Sequence, residues 1–120
     1  MTRGPDKRQV GQSGETLAVK FLARRGYRIL ARNYRTPFGE IDLVARKGSE
    51  TAFIEVRTRN QSTFGEPAES LTKTKIQHWQ HSATAYLKVE GGLDQPYRFD
   101  FVGIDLSGPK PNISLIENIL

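Results

Sequence analysis

Two apolar runs joined by a short polar turn decide the fold of this chain: GEIDLVAR at residues 39–46 and TAFIEVRT at residues 51–58. Each run is short and rich in aliphatic and β-branched residues, which predicts strands at Glu40–Arg46 and Thr51–Thr58. Lys47-Gly48-Ser49-Glu50 between them is typical of a hairpin turn, so the two strands are predicted to be antiparallel neighbours. If helices cover both faces of this sheet, the acidic residues inside the two runs become partly buried.

Periodicity and turn residues predict the elements on either side of the hairpin. A strand that ends at a turn over residues 36–39 completes an antiparallel meander with the two central strands. Ser13 is a suitable N-cap for the first helix, and Gly26 is a suitable end for it. The remaining predicted elements are a helix from about Gly11–Ser13 to Arg25, a strand at Tyr27–Tyr34, a helix from about Ala68 to Lys88, a strand at Tyr97–Asp105 and an edge strand at Asn112–Glu117.

The length and composition fit one α/β domain with a mixed sheet, a three-strand antiparallel meander and flanking helices. The chain has 120 residues, and we expect a single domain over residues 11–120 behind a flexible basic arm at residues 1–10. There is no cysteine, which excludes disulfides and suits a reducing compartment. No apolar run approaches the length of a membrane span, and the first residues lack the apolar core of a secretory signal. We therefore expect a cytoplasmic protein with no membrane partner.

Positive charge is concentrated in the first half of the chain. Residues 1–60 hold 13 Lys and Arg against 6 Asp and Glu, whereas residues 61–120 hold 5 against 7. This asymmetry favours a polyanionic partner, because basic side chains release counterions from phosphates. A solvated basic surface is an equal alternative. The candidate nucleic-acid-binding residues are Arg24, Arg25, Arg32, Arg35, Arg59, Lys73 and Lys75.

Two acidic residues occupy positions where a carboxylate is unusual. Glu15 has apolar neighbours at the edge of the helical face that meets the sheet, where an unpaired carboxylate is costly. A first-turn glutamate favoured by the helix dipole is an equal alternative. Strand alternation places Asp42 on the opposite face from Ile41, Leu43 and Ala45. Because Asp is disfavoured inside strands, Asp42 requires a partner, which is either a functional site or an arginine on a neighbouring strand.

A third acidic residue, Glu55, shares a face of its strand with Arg57. Across the hairpin, Asp42 and Glu55 can lie close together, and two close carboxylates repel each other unless a cation lies between them. Oxygen ligands suit Mg²⁺ or Mn²⁺, which also bind phosphate oxygens. Arg57 could hold a phosphate or stabilise charge that develops in a transition state. His78 and His81, at i, i+3 on the second helix, are better explained as a surface pair than as metal ligands.

The order and spacing of these acidic segments resemble the active-site pattern of the PD-(D/E)xK nuclease superfamily. The matching segments are Gly14-Glu15, GEIDLV at 39–44, FIEVR at 53–57, Lys73-Thr74-Lys75 and Arg98-Phe99-Asp100. Within the superfamily, the chain resembles the small bacterial YraN-like family, which is related to archaeal Holliday-junction resolvases. The similarity covers the chain from about residue 11 to residue 105.

The resemblance implies a restriction-endonuclease-like core and a divalent metal site. It implies that Asp42 and Glu55 are metal ligands, that the Val56 carbonyl assists them, and that Glu15 is an accessory ligand through water. Arg57 stands where the superfamily has lysine. A buried lysine can lose its proton and help to prepare a water molecule, whereas arginine stays protonated and can only bind phosphate or stabilise charge.

Three hypotheses of function follow from these residues. The first is a metal-dependent endonuclease that acts on branched or single-stranded DNA, in repair or recombination, with Glu15, Asp42, Glu55 and Arg57 as catalytic residues. The second is a nucleic-acid-binding module without cleavage activity. The third is an interaction domain in which the carboxylates form only structural ion pairs. DNA is the favoured partner, and a homodimer is left open.

Overall fold

The computed structural model describes residues 7–60 and 71–120, with side chains from Ser13 onward. A five-stranded mixed sheet has the order β1-β2-β3-β4-β5, in which β3 and β4 are parallel and every other pair is antiparallel. The predicted α/β class and meander are confirmed, and the architecture is compatible with a restriction-endonuclease-like core. The elements are α1 (Lys7–Arg24), β1 (Arg28–Thr36), β2 (Gly39–Lys47), β3 (Glu50–Arg59), α2 (Lys73–Glu90), β4 (Tyr97–Asp105) and β5 (Asn112–Ile116).

The two helices cover opposite faces of the sheet. Ala18 and Leu22 of α1 pack on one set of buried strand residues, and Trp79 and Leu87 of α2 pack on the other set. This two-sided burial explains why the central strands are nearly continuous apolar runs. The α1 face of the sheet includes Leu43, Ala45, Ile54, Val56, Val102 and Ile104, and the α2 face includes Ile41, Val44, Phe53 and Phe99. Within the described ranges, neither helix is long and apolar enough to cross a bilayer.

The first helix begins earlier than its sequence predicts. It starts at Lys7, so residues 7–10 are helical, and residues 1–6 of the predicted arm lie outside the described residues. Ser13 lies inside α1, and its predicted role as N-cap is wrong. The predicted stop at Gly26 is confirmed: Gly26 has a φ of 86°, and the Tyr27 N–H bonds back to the Leu22 carbonyl over 3.0 Å.

The second helix begins at Lys73, not near Ala68 as predicted. Residues 68–70 lie outside the described part, and Thr72 has an extended backbone just before the helix. The Thr72 hydroxyl accepts a hydrogen bond of 3.2 Å from the Lys75 N–H, so Thr72 is the N-cap. The periodicity of the apolar residues does not locate this cap, which is why the predicted start is wrong.

A buried ion-pair network fixes the far side of the sheet. The fully buried Asp100 accepts hydrogen bonds from the Tyr27 hydroxyl (2.7 Å), from Arg98 Nε (3.2 Å) and from the Asn118 N–H (3.0 Å). Arg98 also lies 3.6 Å from Glu117. Every charge in this group therefore has a partner, and Asp100 has a structural role at some distance from the acidic residues of β2.

A close helix–strand contact sets the position of Glu15. Gly14 is buried in α1, and a Cβ atom at this position would overlap the hydroxyl of Thr58 on β3. Only glycine lets the helix backbone come this near to the strand. The contact holds the following residue, Glu15, over the same end of the sheet as Asp42.

We predict that Gly14→Ala lowers the free energy of unfolding by about 2 kcal/mol, because the added methyl group overlaps Thr58. Thr58→Ala removes the overlapping hydroxyl, so the double variant should recover part of the loss. Urea denaturation of the wild type, both single variants and the double variant measures this coupling. Strictly additive effects of the two substitutions would contradict the proposed contact.

Candidate active site

Strands β2 and β3 separate at the end where their acidic residues lie. Their pairing runs from Lys47–Glu50 to Leu43–Ile54, and Asp42 and Glu55 are the next residues along. In place of a ladder bond, Asp42 Oδ2 accepts a hydrogen bond of 2.8 Å from the Val56 N–H. The Asp42 side chain therefore satisfies a backbone donor of the neighbouring strand, and this fixes its position.

The side-chain alternation of β2 breaks at Asp42. Ile41 was predicted to share a face with Leu43, but it packs with Val44 on the α2 side, whereas Leu43 lies on the α1 side. The physical reason lies in β1: Asn33, between the Arg32–Leu43 and Tyr34–Ile41 pairs and so opposite Asp42, has a left-handed φ of 52°. The prediction that Asp42 and Val44 share one face of β2 is therefore wrong. Asp42 lies at the point where the alternation of side chains between the two faces breaks.

Three carboxylates from two elements meet at this break. One oxygen from each of Glu15, Glu40 and Asp42 lies within 4.8 Å of the others. Asn33 links two of them, since its Nδ2 donates to Glu15 Oε1 (2.8 Å) and to Glu40 Oε1 (2.9 Å). Glu15 stands two turns inside α1, so it is not a first-turn glutamate, and the dipole explanation for it is wrong.

Glu40 is the member of this cluster that the sequence prediction missed. The signal was present, because strand alternation places residues 40 and 42 on one face. Asn33 could not have been found in the same way. Its role depends on a positive φ that no pattern in this chain indicates.

Glu55 and Arg57 lie beside the cluster on β3. Arg57 Nη2 is 2.9 Å from Glu55 Oε1, and the two side chains share a strand face, as the alternation of β3 predicts. The Glu55 and Asp42 carboxyl groups also influence each other's ionisation, so the two are close neighbours. Arg57, whose charge acts on Asp42, is therefore engaged by Glu55, and the described residues contain no Asp42–arginine ion pair.

Burial and mutual repulsion disturb the ionisation of this pair. Loss of hydration raises the pKa of Asp42 to about 7, and the Glu55 charge adds to this, while the Val56 N–H acts in the opposite direction. Loss of hydration also raises the pKa of Glu55, and Arg57 and Lys75 oppose that rise. The site therefore holds more carboxylate charge than Arg57 neutralises.

This surplus charge fits a divalent cation. Four hard oxygen donors lie together at the end of β2 and β3, and Mg²⁺ or Mn²⁺ would replace the lost hydration of Asp42. Glu15, Glu40 and Asp42 are near enough to one another to share one ion, with Glu55 next to Asp42. The ligand role of Val56 stays a prediction, and its N–H is the group that holds Asp42.

A cleft opens from this site toward α2; we call it the polar cleft. It has a volume of about 200 Å³, and Trp79 forms part of its wall. Two buried donors on its lining residues, Arg57 Nε and Trp79 Nε1, have no hydrogen-bond partner in the described part of the chain. The polar side chains that line the cleft are Glu40, Glu55, Arg57, Lys75, His78 and Ser82.

The predicted nucleic-acid-binding residues fall into separate groups. Lys73 and Lys75 are exposed in the first turn of α2, beside the polar cleft, and Arg35 on β1 lies 3.9 Å from Glu40. Arg32 reaches the Thr16 hydroxyl at 3.5 Å on the α1 side. Arg59 pairs with Asp105 over 3.1 Å.

Arg24 and Arg25 lie at the C-terminal end of α1, about 14 Å along the helix from Glu15. Arg25 covers the ring of Phe21 at 4.0 Å. Among these predicted binding residues, those of β1 and of the start of α2 are therefore the nearest to the carboxylates.

The fold and the site together define a mixed α/β domain with a carboxylate cluster at the open end of its central hairpin. Comparison with known proteins identifies its family. The model of the uncharacterised protein family UPF0102 matches residues 14–104, so this chain belongs to that family, the YraN family that its sequence resembles.

Similar proteins occur in distant bacteria. A UPF0102 protein of Dehalococcoides mccartyi is 43% identical over 96% of this chain and 95% of its own length. A UPF0102 protein of Nocardia farcinica is 41% identical over 99% of this chain and 94% of its own length. A third, from Moorella thermoacetica, is 49% identical over 82% of each chain. The family match contains Glu15, Asp42, Glu55 and Arg57.

We predict that Asp42→Asn raises the melting temperature of the metal-free protein at pH 8 by about 5 °C or more. The folded-state pKa of Asp42, about 7, lies above its ordinary value of 3.8, so the folded state binds the proton more tightly. The stability that this proton gives is complete below pH 3.8 and is lost as the pH rises through 7. The gain from Asn should therefore be small at pH 5 and large at pH 8, as measured by thermal scans in EDTA.

Asp105→Asn is the matched control, because hydrogen bonds from Ser107 lower the pKa of Asp105. Its loss of charge should lower stability at pH 8, in the opposite direction to Asp42→Asn. A gain from Asp42→Asn that does not change between pH 5 and pH 8 would contradict the assignment.

Proposed function

We propose that this protein is a metal-dependent endonuclease that acts on branched or single-stranded DNA in the cytoplasm. The observation that carries the proposal is the surplus of carboxylate charge at Asp42, Glu55, Glu15 and Glu40 beside a cationic side chain in an open cleft. In a purely structural set of ion pairs each carboxylate has a cationic partner, as Glu50, Asp100 and Glu117 have in Arg98. Within the described residues, Glu15 and Asp42 form no such ion pair.

A divalent cation held there would supply Lewis acidity toward a phosphate oxygen and lower the pKa of a bound water. The residues of the chain have distinct tasks around it. Val56 holds Asp42 through its N–H, and Asn33 orients Glu15 and Glu40. These hydrogen bonds fix three carboxylates before substrate arrives, so little reorganisation is needed during the reaction.

Arg57 binds the phosphate that is to be cut. Its guanidinium is held by Glu55 at 2.9 Å, and its Nε is buried with no hydrogen-bond partner among the described residues. Because arginine stays protonated, Arg57 contributes fixed positive charge and does not take a proton from water. This feature also favours a second candidate function, a nucleic-acid-binding module that keeps the fold without cleavage.

Cleavage of labelled fork and junction DNA in Mg²⁺ or Mn²⁺ tests the first function. Wild type should cut, and Asp42→Asn and Glu55→Gln should each reduce the rate by about 10²-fold or more, since each removes charge from the cation site. Asp105→Asn, which changes a carboxylate outside the cluster, should keep the wild-type rate. Undiminished cutting by Glu55→Gln would mean that another site or a contaminant is responsible.

Calorimetry with Mn²⁺ separates metal binding from catalysis. Titration of the wild type with Mn²⁺ should give a heat of binding, and titration of Asp42→Asn should give none. Equal heats from the two proteins would exclude this cation site. If wild type binds DNA in calcium but cuts nothing with any metal, the binding module replaces the nuclease.

We predict that Arg57→Ala lowers the cleavage rate by about 10²-fold while DNA affinity changes less, because its charge meets the phosphate mainly in the transition state. Arg57→Lys should retain most of the rate, since the superfamily pattern that this chain resembles has lysine at this position. Single-turnover cleavage and gel shifts in calcium measure the two effects. Equal losses of rate and affinity in Arg57→Ala would assign Arg57 to binding alone.

A further inference from the structure

An exposed aromatic side chain stands at the edge of the candidate active site. Phe38 lies in the turn between β1 and β2 and is 47% exposed. It lines the polar cleft, and it also lines a second cleft of about 360 Å³ on the outer side of α2, formed with Pro37, His81, Ala85 and Lys88. We call this second cavity the apolar cleft. Phe38 therefore separates the carboxylate site from a largely apolar cavity of ligand size.

The Phe38 ring is held in place before any ligand binds. The Thr36 hydroxyl accepts a hydrogen bond of 3.1 Å from the Phe38 N–H and lies 2.9 Å from the Ser82 hydroxyl of α2. The Phe38 ring packs edge-on against His81, with 5.3 Å between ring centroids. A ring fixed in this way loses little conformational entropy when a flat ligand stacks on it.

The charges around the two clefts favour a ligand with more than one phosphate. Arg57 and Lys75 line the polar cleft, and Lys88 lines the apolar cleft on the other side of Phe38. The first turn of α2 contains Lys73 and Lys75 and no acidic residue, although the helix dipole there favours anions. A nucleic-acid backbone that crosses Phe38 would contact basic side chains on both sides of the ring.

We infer that Phe38 and the apolar cleft bind one unpaired base of a nucleic-acid strand whose backbone crosses the polar cleft. Bases inside a duplex are stacked on their neighbours and cannot enter the cavity, so the subsite selects single-stranded or unstacked substrate. The inference rests on the proposed function for its choice of a polynucleotide as ligand. It adds to that function the structural feature that recognises an open strand.

The test compares Phe38→Ala with a matched variant, Tyr97→Ala. Tyr97 is an aromatic residue of the same exposure, 47%. It pairs with Thr51 at the start of β3, whereas Arg57 lies near the other end of that strand. Substitution of Tyr97 therefore removes an equally exposed ring at the end of the sheet away from the carboxylates.

Fluorescence anisotropy in calcium measures binding of a labelled oligothymidylate and of a duplex of equal length. Phe38→Ala should weaken single-strand affinity by about 5- to 100-fold and leave duplex affinity nearly unchanged, because it removes one base–aromatic stack. Phe38→Trp should retain single-strand affinity, and Tyr97→Ala should resemble wild type. Trp79 is the single tryptophan of the chain and lines the polar cleft, so its fluorescence should change on single-strand binding.

The outcomes separate this subsite from the proposed function. If wild type cleaves DNA but Phe38→Ala binds single strands normally, the base subsite is wrong and the nuclease stands. If single-strand binding depends on Phe38 but no metal supports cleavage, the subsite stands and the nuclease is wrong. Equal losses in Phe38→Ala and Tyr97→Ala, or no nucleic-acid binding by wild type, would overturn the subsite.

Discussion

The hydrogen bond from the Val56 N–H to Asp42 is the interaction on which the site depends. It forms where β2 and β3 stop pairing, and it lets the two strands separate without leaving the Val56 donor unsatisfied. The same separation makes room for Glu55 and opens the cleft toward α2. A regular ladder at this point would close the gap between the two strands. The candidate site therefore forms where strand pairing ends, and the Asp42 side chain stabilises that end.

Much of the fold could be predicted from the sequence because local patterns determine it. The central hairpin, β4 and the stop at Gly26 follow from apolar runs and turn residues. The helix starts could not be predicted in this way. Ser13 has the chemistry of an N-cap, but Gly14 is required inside the helix by its contact with Thr58, which is distant in the sequence. Tertiary packing therefore overrode a local signal.

The candidate site was predictable as a set of residues but not as a geometry. Asp42, Glu55 and Arg57 come together on neighbouring strands because hairpin register determines this. Strict alternation failed between Ile41 and Leu43, opposite the left-handed Asn33 of β1. The link from Glu40 to Glu15 also runs through Asn33. Features of this kind depend on the backbone of a partner strand, which residue spacing within one strand does not encode.

The parallel pairing of β3 with β4 has a consequence for the order in which the chain folds. The meander strands are joined by short turns, so they can pair after small loops close, whereas β4 must return across all of α2. The Tyr27–Asp100 hydrogen bond joins residues 73 positions apart. Loop-closure entropy is therefore concentrated in the step that docks β4, because this step joins residues that are distant in the sequence. The half of the sheet that carries the acidic residues can form early, and the buried network around Asp100 completes the structure last.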